Sequence, residues 1–484
     1  MKAFYVSVSI LTSFYAFNKV FKNNKWMPHI ATVLYACCNY HLIDIYIRDA
    51  FGEYLAFCWI PLILLAMYEV LFEQKDSWVL LGVSFAFLAM SHAITFALFC
   101  VVFLIAILSF LFINRKDVQI LKSTFLTVIK GTILGALLAA SFLLPLLEQM
   151  SSQKFVVSYY KELLDAANVP PIKQLLFTPF VNGIIVAGNE SPIVLFNLGY
   201  VYYFVPLLYL FLLVKKQGRI DVTLSFCIAY FFVFLSLGLI KFTGPLQFLN
   251  TFQFYFRFYI VAFPLLTYVI AYCLCQLTGL VRKLLIIFVL AYSICALALM
   301  IDMDVNSDQR YNSFTEMRNN LMQMGIPYDY AQLSAGDYLP ANDVYQYFWE
   351  DSKFIKKVNE NRHDYEVICT EVDGEYLPLA YERQGTTIRF SYDSDYEELI
   401  MLPLTYYKGY RIYLINEDGS KTRLEYEDIG RYKQLAFRCK SGSHVYECNY
   451  EGTMIQKTSF IISAITAAAL AVYLMKHKVS NKGL

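Results

Sequence analysis

Four charged side chains fall within ten residues of an otherwise apolar stretch: Asp44, Arg48, Asp49 and Glu53. Asp44 and Arg48 stand four apart, as do Asp49 and Glu53, so one short interfacial helix would carry them on two neighbouring ridges. Glu53 runs into the next apolar segment, where an ionisable group costs about 3 kcal/mol unless it is paired or faces an aqueous cavity. Carboxylates in such a setting are candidates for proton transfer, and an ion pair that pins the helix to the headgroups is the alternative. His92, at a Ser91-His92 turn, adds an imidazole at a depth that tolerates the neutral ring. A lone histidine at a turn also serves as a hydrogen-bonded structural residue. Arg257 ends an aromatic run, Phe252-Gln-Phe-Tyr-Phe-Arg257. A guanidinium held among aromatics suits a phosphate or pyrophosphate bound bidentately, and snorkelling to lipid headgroups is the competing reading. Asp44, Asp49, Glu53 and His92 are therefore the catalytic candidates, and Arg48 and Arg257 the substrate-binding ones. No GxGxxG, Walker loop, HExxH or Ser/His/Asp spacing accompanies them. No metal ligand set and no cofactor is assigned, although a divalent metal stays open.

The composition says what must position these groups. Of 484 residues, 58% are hydrophobic and only 16% charged, proportions of a membrane protein. The formal charge of +1 conceals a division: residues 302–454 carry 27 acidic and 16 basic side chains, and the rest carry 12 and 24. No basic stripe interleaved with exposed aromatics marks a nucleic-acid binder. Eight of the 11 cysteines lie in apolar runs and read as small hydrophobes. Cys369, Cys439 and Cys448 show no zinc spacing, and a Cys439–Cys448 bridge, out of direct register across the turn at Ser441-Gly442-Ser443, stays open.

A bilayer core asks for about 20 apolar residues per helix, fewer where it thins. Eleven spans are expected, at 3–17, 27–40, 54–72, 78–90, 92–113, 126–147, 193–214, 222–240, 258–277, 284–301 and 458–475. The alternate loops then collect the lysines and arginines (Lys19, Lys22 and Lys25; Arg115, Lys116 and Lys122; Lys215, Lys216 and Arg219; Arg282 and Lys283; Lys476, Lys478 and Lys482), which marks the cytoplasmic side. The stretch 78–113 is too long for one upright helix, and charge parity favours a turn at Ser91-His92. With this parity Met1 lies outside, and an upstream helix missing from the N-terminus is expected.

After residue 301 the pattern changes to short alternating runs at 386–392, 398–402, 410–414, 422–426, 434–439 and 444–450, separated by turns such as Asn416-Glu-Asp-Gly419. The expected architecture is an α-helical polytopic membrane protein with an extracytoplasmic α+β domain containing an antiparallel β-sandwich. Its parts are a transmembrane domain at 1–301, an extracytoplasmic domain at 302–456, a last transmembrane helix at 457–476 and a basic cytoplasmic tail at 477–484. Tyr406, Tyr407, Tyr410 and Tyr413 suit either a sugar-stacking platform or the core and rim of the sheet. Loop 148–190, with Lys154, Lys161, Lys173 and Pro170-Pro171, either caps a cavity or lies on the membrane.

Several of these segments resemble one family. Tyr40 to Pro61 (with Arg48, Gly52-Glu53 and Ala56), the Ser91-His92 turn, Phe252 to Arg257, and Leu404-Thr-Tyr-Tyr-Lys-Gly-Tyr410 with the Asp418-Gly419 hairpin are similar to the bacterial YfhO-type membrane proteins. That group includes chains labelled 6-pyruvoyl-tetrahydropterin synthase-related, and nothing in these residues supports pterin chemistry. The resemblance implies the fold of the C superfamily of glycosyltransferases, with an outward cavity and a polyprenyl-phosphate-sugar donor. It implies a cell-envelope polymer or glycolipid as acceptor, and membrane lipids as surroundings. The family's usual acidic base lies in a first outer loop that this sequence does not show, so Asp44 or Asp49 would be supporting groups. Arg48, Glu53, His92 and Arg257 would line the donor-phosphate cavity. The same residues without a base would make a non-catalytic glycolipid-binding or transport protein, and the outer domain alone an envelope scaffold.

Overall fold

The computed structural model describes residues 2–46, 48, 50–153, 155, 184–185, 193–194, 197–240, 242, 244, 249–250, 252, 254–305, 368–372, 375–429 and 434–480. Asp49 and most of loop 148–190 lie outside the described residues. The chain divides into two compact units, one of Met1–Leu143, Lys161–Ser307 and Ile462–Leu484, the other of Leu144–Tyr160 and Asp308–Ile461.

The first unit is helical. It runs through α1 (Lys2–Val20), α2 (Met27–Ala36), α3 (Asn39–Tyr46), α4 (Phe51–Ala56), α5 (Ile60–Leu71), α6 (Trp78–Ser91), α7 (Ala93–Ile113) and α8 (Val118–Leu138). After α9 (Ala140–Ser152) and a two-residue ribbon of β1 (Ile184–Ile185) and β2 (Ile193–Val194) come α10 (Tyr200–Phe204), α11 (Leu208–Val214), α12 (Ile220–Ser236), α13 (Tyr259–Gln276) and α14 (Gly279–Val305). Local chemistry sets many of these bounds. Pro28 and Pro61 sit in first turns, where a missing N–H leaves no bond unmade. Asp117 accepts from Ile120 N to open α8. His92 ends α6 and begins α7 in an extended conformation, so 78–113 is two helices.

The helix expected over 193–214 begins later. Residues 193–194 pair as strand, and the helix waits for Gly199, whose φ of 81° and ψ of 155° no helical residue adopts. The single helix expected at 44–53 is also interrupted. Arg48 N bonds back to Ile43 O and Ala50 N to Asp44 O, steps of five and six residues that close α3 before α4 starts. A continuous helix would set Arg48 and Glu53 about 140° apart around its axis, whereas the interruption lets them face each other.

Among the described residues six helical stretches are long and apolar enough to cross a membrane: Phe51–Leu71, Ala93–Ile113, Val118–Leu138, Tyr255–Gln276, Gly279–Ile301 and Met454–Lys476. Shorter apolar helices lie at Trp78–Ser91, Tyr200–Val214 and Ile220–Ser236. Tyr255–Gln276 is mostly buried and forms the centre, whereas Ala93–Ile113 and Gly279–Ile301 are mostly unburied and present Phe112, Leu104, Leu280 and Ile287 outward. So much exposed apolar surface is sustained by lipid, not by water. α6 and α8 approach closely, since a Cβ on Gly82 would stand 2.7 Å from Gly131 O and one on Gly135 3.0 Å from Gly82 O. This is the small-residue contact by which membrane helices approach.

The second unit contains β3 (Ile368–Val372), β4 (Glu375–Leu379), β5 (Glu382–Gln384), β6 (Thr387–Ser394), β7 (Leu399–Thr405), β8 (Tyr410–Ile415), β9 (Lys421–Leu424), β10 (Glu427–Ile429), β11 (Gln434–Arg438) and β12 (Gly442–Tyr450); α15 (Met454–Ser480) follows, and from Ile462 on it belongs to the first unit. Two antiparallel five-stranded sheets form, in the orders β10-β11-β7-β3-β4 and β5-β6-β12-β8-β9. Their apolar faces share one core of Ile388, Phe390, Ile400, Leu402, Leu435, Phe437 and Tyr446. Cys439 and Cys448 are both free and buried, because β11 and β12 belong to different sheets and the hairpin that would align them does not form. Tyr406 and Tyr410 pack against the core, and Tyr413 donates to Glu451.

At one end of this core Glu398 accepts from Ser394 Oγ at 2.6 Å, from Thr370 Oγ1 at 2.9 Å and from the Tyr392 hydroxyl. The Ser394 and Tyr392 hydroxyls hold its carboxyl below the ordinary value of 4.5. A depressed carboxyl gives stability that is present above 4.5 and is lost as pH falls through the folded value. Acidification from about pH 5 to pH 3 is therefore expected to loosen β7, read by hydrogen exchange of its amides. Glu398→Gln should be less stable at neutral pH and flatter across that range; an unchanged acid profile in this variant would remove Glu398 from the account.

Candidate functional site

Glu53 is the hub of a buried polar cluster built from two segments far apart in sequence. The side chains of Asp44 and Glu53 are 0% and 4% exposed, and those of Arg48 and Arg257 only 18% and 11%. Arg48 donates through Nη1 to Asp44 Oδ1 at 2.6 Å and to Glu53 Oε2 at 2.9 Å, and through Nη2 to Glu53 Oε1 at 3.1 Å. Arg257 donates through Nε to Glu53 Oε1 at 3.1 Å and through Nη1 to Phe252 O at 3.1 Å. The Tyr40 hydroxyl donates to Glu53 Oε2. Two carboxylates and two guanidiniums balance, which is how so many charges are held away from water. Asp44 Oδ2, in contrast, is buried without a hydrogen-bond partner among the described residues.

The aromatic run before Arg257 forms a wall. Phe254 and Phe256 stack at 4.9 Å with an interplanar angle of 11°, and Arg257 and Arg48 sit over these rings at 4.8 and 4.7 Å respectively. The alternation Phe-Tyr-Phe therefore places one ring under each guanidinium, a cation–π arrangement that adds to the ion pairs.

Of the sequence candidates, Asp44, Arg48, Glu53 and Arg257 come together. His92 is close by without a hydrogen bond to them. Its Nδ1 lies 2.7 Å from Thr95 Oγ1 and caps α7, and a Cβ on Gly52 would stand 3.1 Å from its Cδ2, so the ring occupies the space that Gly52 leaves beside Glu53. Among the described residues no group of three or more His, Cys, Asp or Glu side chains has the geometry to hold a metal ion.

A second polar cluster, in which Asp221 is buried and Arg219 exposed, was not among the candidates. Asp221 is paired with Arg219 through Nε at 3.1 Å and Nη2 at 2.6 Å, and it accepts from the Tyr268 hydroxyl. The same Arg219 Nη2 reaches Tyr68 Oη at 3.2 Å. An acidic residue at the start of an apolar helix was the available signal. This cluster bounds an apolar cavity of about 80 Å³ lined by Phe17, Tyr35, Leu65 and Leu265.

A family model described as bacterial membrane protein YfhO matches residues 1–324, two thirds of the chain. The match takes in all of the Glu53 cluster and ends before β3, so the Leu404 to Tyr410 segment and the Asp418-Gly419 hairpin lie outside it. No curated protein and no solved structure matches.

Proposed function

The chain belongs to the YfhO family of bacterial membrane proteins, and from that premise we propose a glycosyltransferase-like protein of the cell membrane. It takes a sugar from a polyprenyl-phosphate carrier at the outer face and passes it to a cell-envelope polymer or glycolipid. The observation that carries this reading is the convergence of Arg48 and Arg257 on Glu53, next to a buried Asp44 oxygen with no hydrogen-bond partner among the described residues. In this reading the donor phosphate shares the Arg257 fork with Glu53, whose contact to it is a single bond through Nε. Asp44 Oδ2 is the acceptor for a proton from the attacking hydroxyl, and His92 with Gly52 fixes the edge of the site. Eleven crossings place the basic loops in the cytoplasm, and the two sheets form an extracytoplasmic sandwich.

Arg257→Ala is expected to lower transfer from a pooled polyprenyl-phosphate-sugar donor in proteoliposomes by about a hundredfold. Insertion, scored by protease protection of the loops, should be unchanged. Full activity in this variant would remove Arg257 from the donor site.

One observation favours a second reading. The guanidinium charges are already matched by Asp44 and Glu53, leaving no net positive charge for a phosphate. A glycolipid-binding or transport protein needs no such surplus. Donor retention in the wild type with no sugar released, and the same retention in Asp44→Asn, would select that reading.

A further inference from the structure

A groove of about 700 Å³ lies between α2 and the start of α14. It sits at the far end of the helices from Glu53. The start of α1 is tied to the cluster side, where Lys2 Nζ reaches Ile45 O, and α13 leads from Arg257 to Gln276 beside the groove. Eighteen residues of α13 at 1.5 Å each separate the two by about 27 Å, close to the thickness of a bilayer core.

The lining changes character with depth. Trp26, His29, Arg282 and Lys283 form the mouth, and Ile30, Val33, Ile286 and Leu290 the floor. Trp26 is 68% exposed, an orientation that suits an indole at the headgroup level. Among the described residues no carboxylate lies within ion-pair distance of Arg282 or Lys283, as is also true of Lys215 and Lys216; what distinguishes Arg282 and Lys283 is that they line one groove together with Ile30, Val33, Ile286 and Leu290. From Arg282 to Leu290 the floor runs about 12 Å along α14, the length of the upper half of an acyl chain.

We propose that this groove binds one anionic glycerophospholipid, its phosphate held by Arg282 and Lys283 beneath Trp26 and an acyl chain lying on Ile30, Val33 and Ile286. Charge complementarity selects the occupant: two unmatched cations above an apolar floor fit a phosphate that carries a chain, and a zwitterionic headgroup offsets part of that attraction. The site is independent of sugar transfer.

Native mass spectrometry of the delipidated full chain in non-ionic detergent, offered equal phosphatidylglycerol and phosphatidylcholine, tests it. Two cations at the membrane surface predict about a thirtyfold preference for phosphatidylglycerol. R282Q/K283Q should reduce this to about threefold or less, and Ile286→Trp, which keeps both charges and fills the floor, should lower retention about tenfold. K215Q/K216Q, a basic pair elsewhere, should leave the preference intact. Each variant is scored as monomeric protein, and Ile286→Trp and R282Q/K283Q stand as separate readouts should one fail to fold. Three results would overturn the proposal: no preference in the wild type, equal loss in K215Q/K216Q, or displacement of the lipid by millimolar inorganic phosphate.

Discussion

Glu53→Gln is expected to destabilise the helical unit by about 3–5 kcal/mol, because it removes the buried carboxylate charge on which the Arg48 and Arg257 guanidiniums converge. Four donor bonds converge on the Glu53 carboxylate, two from Arg48, one from Arg257 and one from Tyr40. Glutamine keeps the shape and one acceptor oxygen but loses the charge and turns the other position into a donor facing donors. Arg48 retains Asp44, and Arg257 retains Phe252 O and the face of Phe254. The thermal midpoint in detergent should fall by several degrees. A decisive comparison is E53Q/R257Q, which removes one charge of each sign and restores neutrality. It should recover at least half of the loss, because most of the penalty comes from an uncompensated buried ion. A double variant as unstable as the sum of the two singles would mean that the residues act separately, and a wild-type midpoint in E53Q would mean the cluster contributes nothing to the fold.

Gly199→Ala is expected to be nearly as damaging, at about 3 kcal/mol or more. Its φ of 81° with ψ of 155° is a region open essentially to glycine alone, which costs another residue about 1–3 kcal/mol. A Cβ there would also collide with the Tyr292 hydroxyl and stand 3.0 Å from Asn39 Nδ2, and overpacking of this kind adds about 1–3 kcal/mol. The position matters beyond its own turn. Asn39 opens α3 and donates to Asn197 O, so pressure on Asn39 is transmitted to the helix that carries Tyr40 and Asp44. Gly385 has φ 63° and open space around its Cβ position, and Gly385→Ala should cost about 1–2 kcal/mol. Equal midpoints for the two variants would show that the close contact at Gly199 carries no weight.

The sequence made part of the site legible and hid part for reasons that can be named. Arg48 and Glu53 stood out because ionisable groups are rare in apolar runs, and the Phe-Tyr-Phe-Arg257 alternation announced a guanidinium among rings. Their meeting did not stand out, since nothing local links positions 204 residues apart. The interruption between α3 and α4 was hidden as well: bonds of five and six residues close the helix in a stretch with no proline or glycine before Gly52 to flag it. Long apolar helices such as α7 and α13 were read with nearly their observed bounds, because a run of 20 hydrophobes has few alternatives. The six strands with clear alternation were found, but β3, β4, β5 and β10 were not. Two of these, β5 and β10, are three-residue edge strands that lack the length for a pattern.

The Arg257–Glu53 bond also sets a clock on biosynthesis. Chains grow at about 5–20 residues per second, so the 204 residues between the partners take about 10–40 s to make. Through that interval the first helices hold Asp44, Arg48 and Glu53 with one negative charge in excess, before the guanidinium that balances it in the folded protein has been made. The nascent protein must keep this segment near water, or in the company of the insertion machinery, until Arg257 arrives. Seating of the amino-terminal hairpin is therefore a late event, although its residues are among the earliest translated.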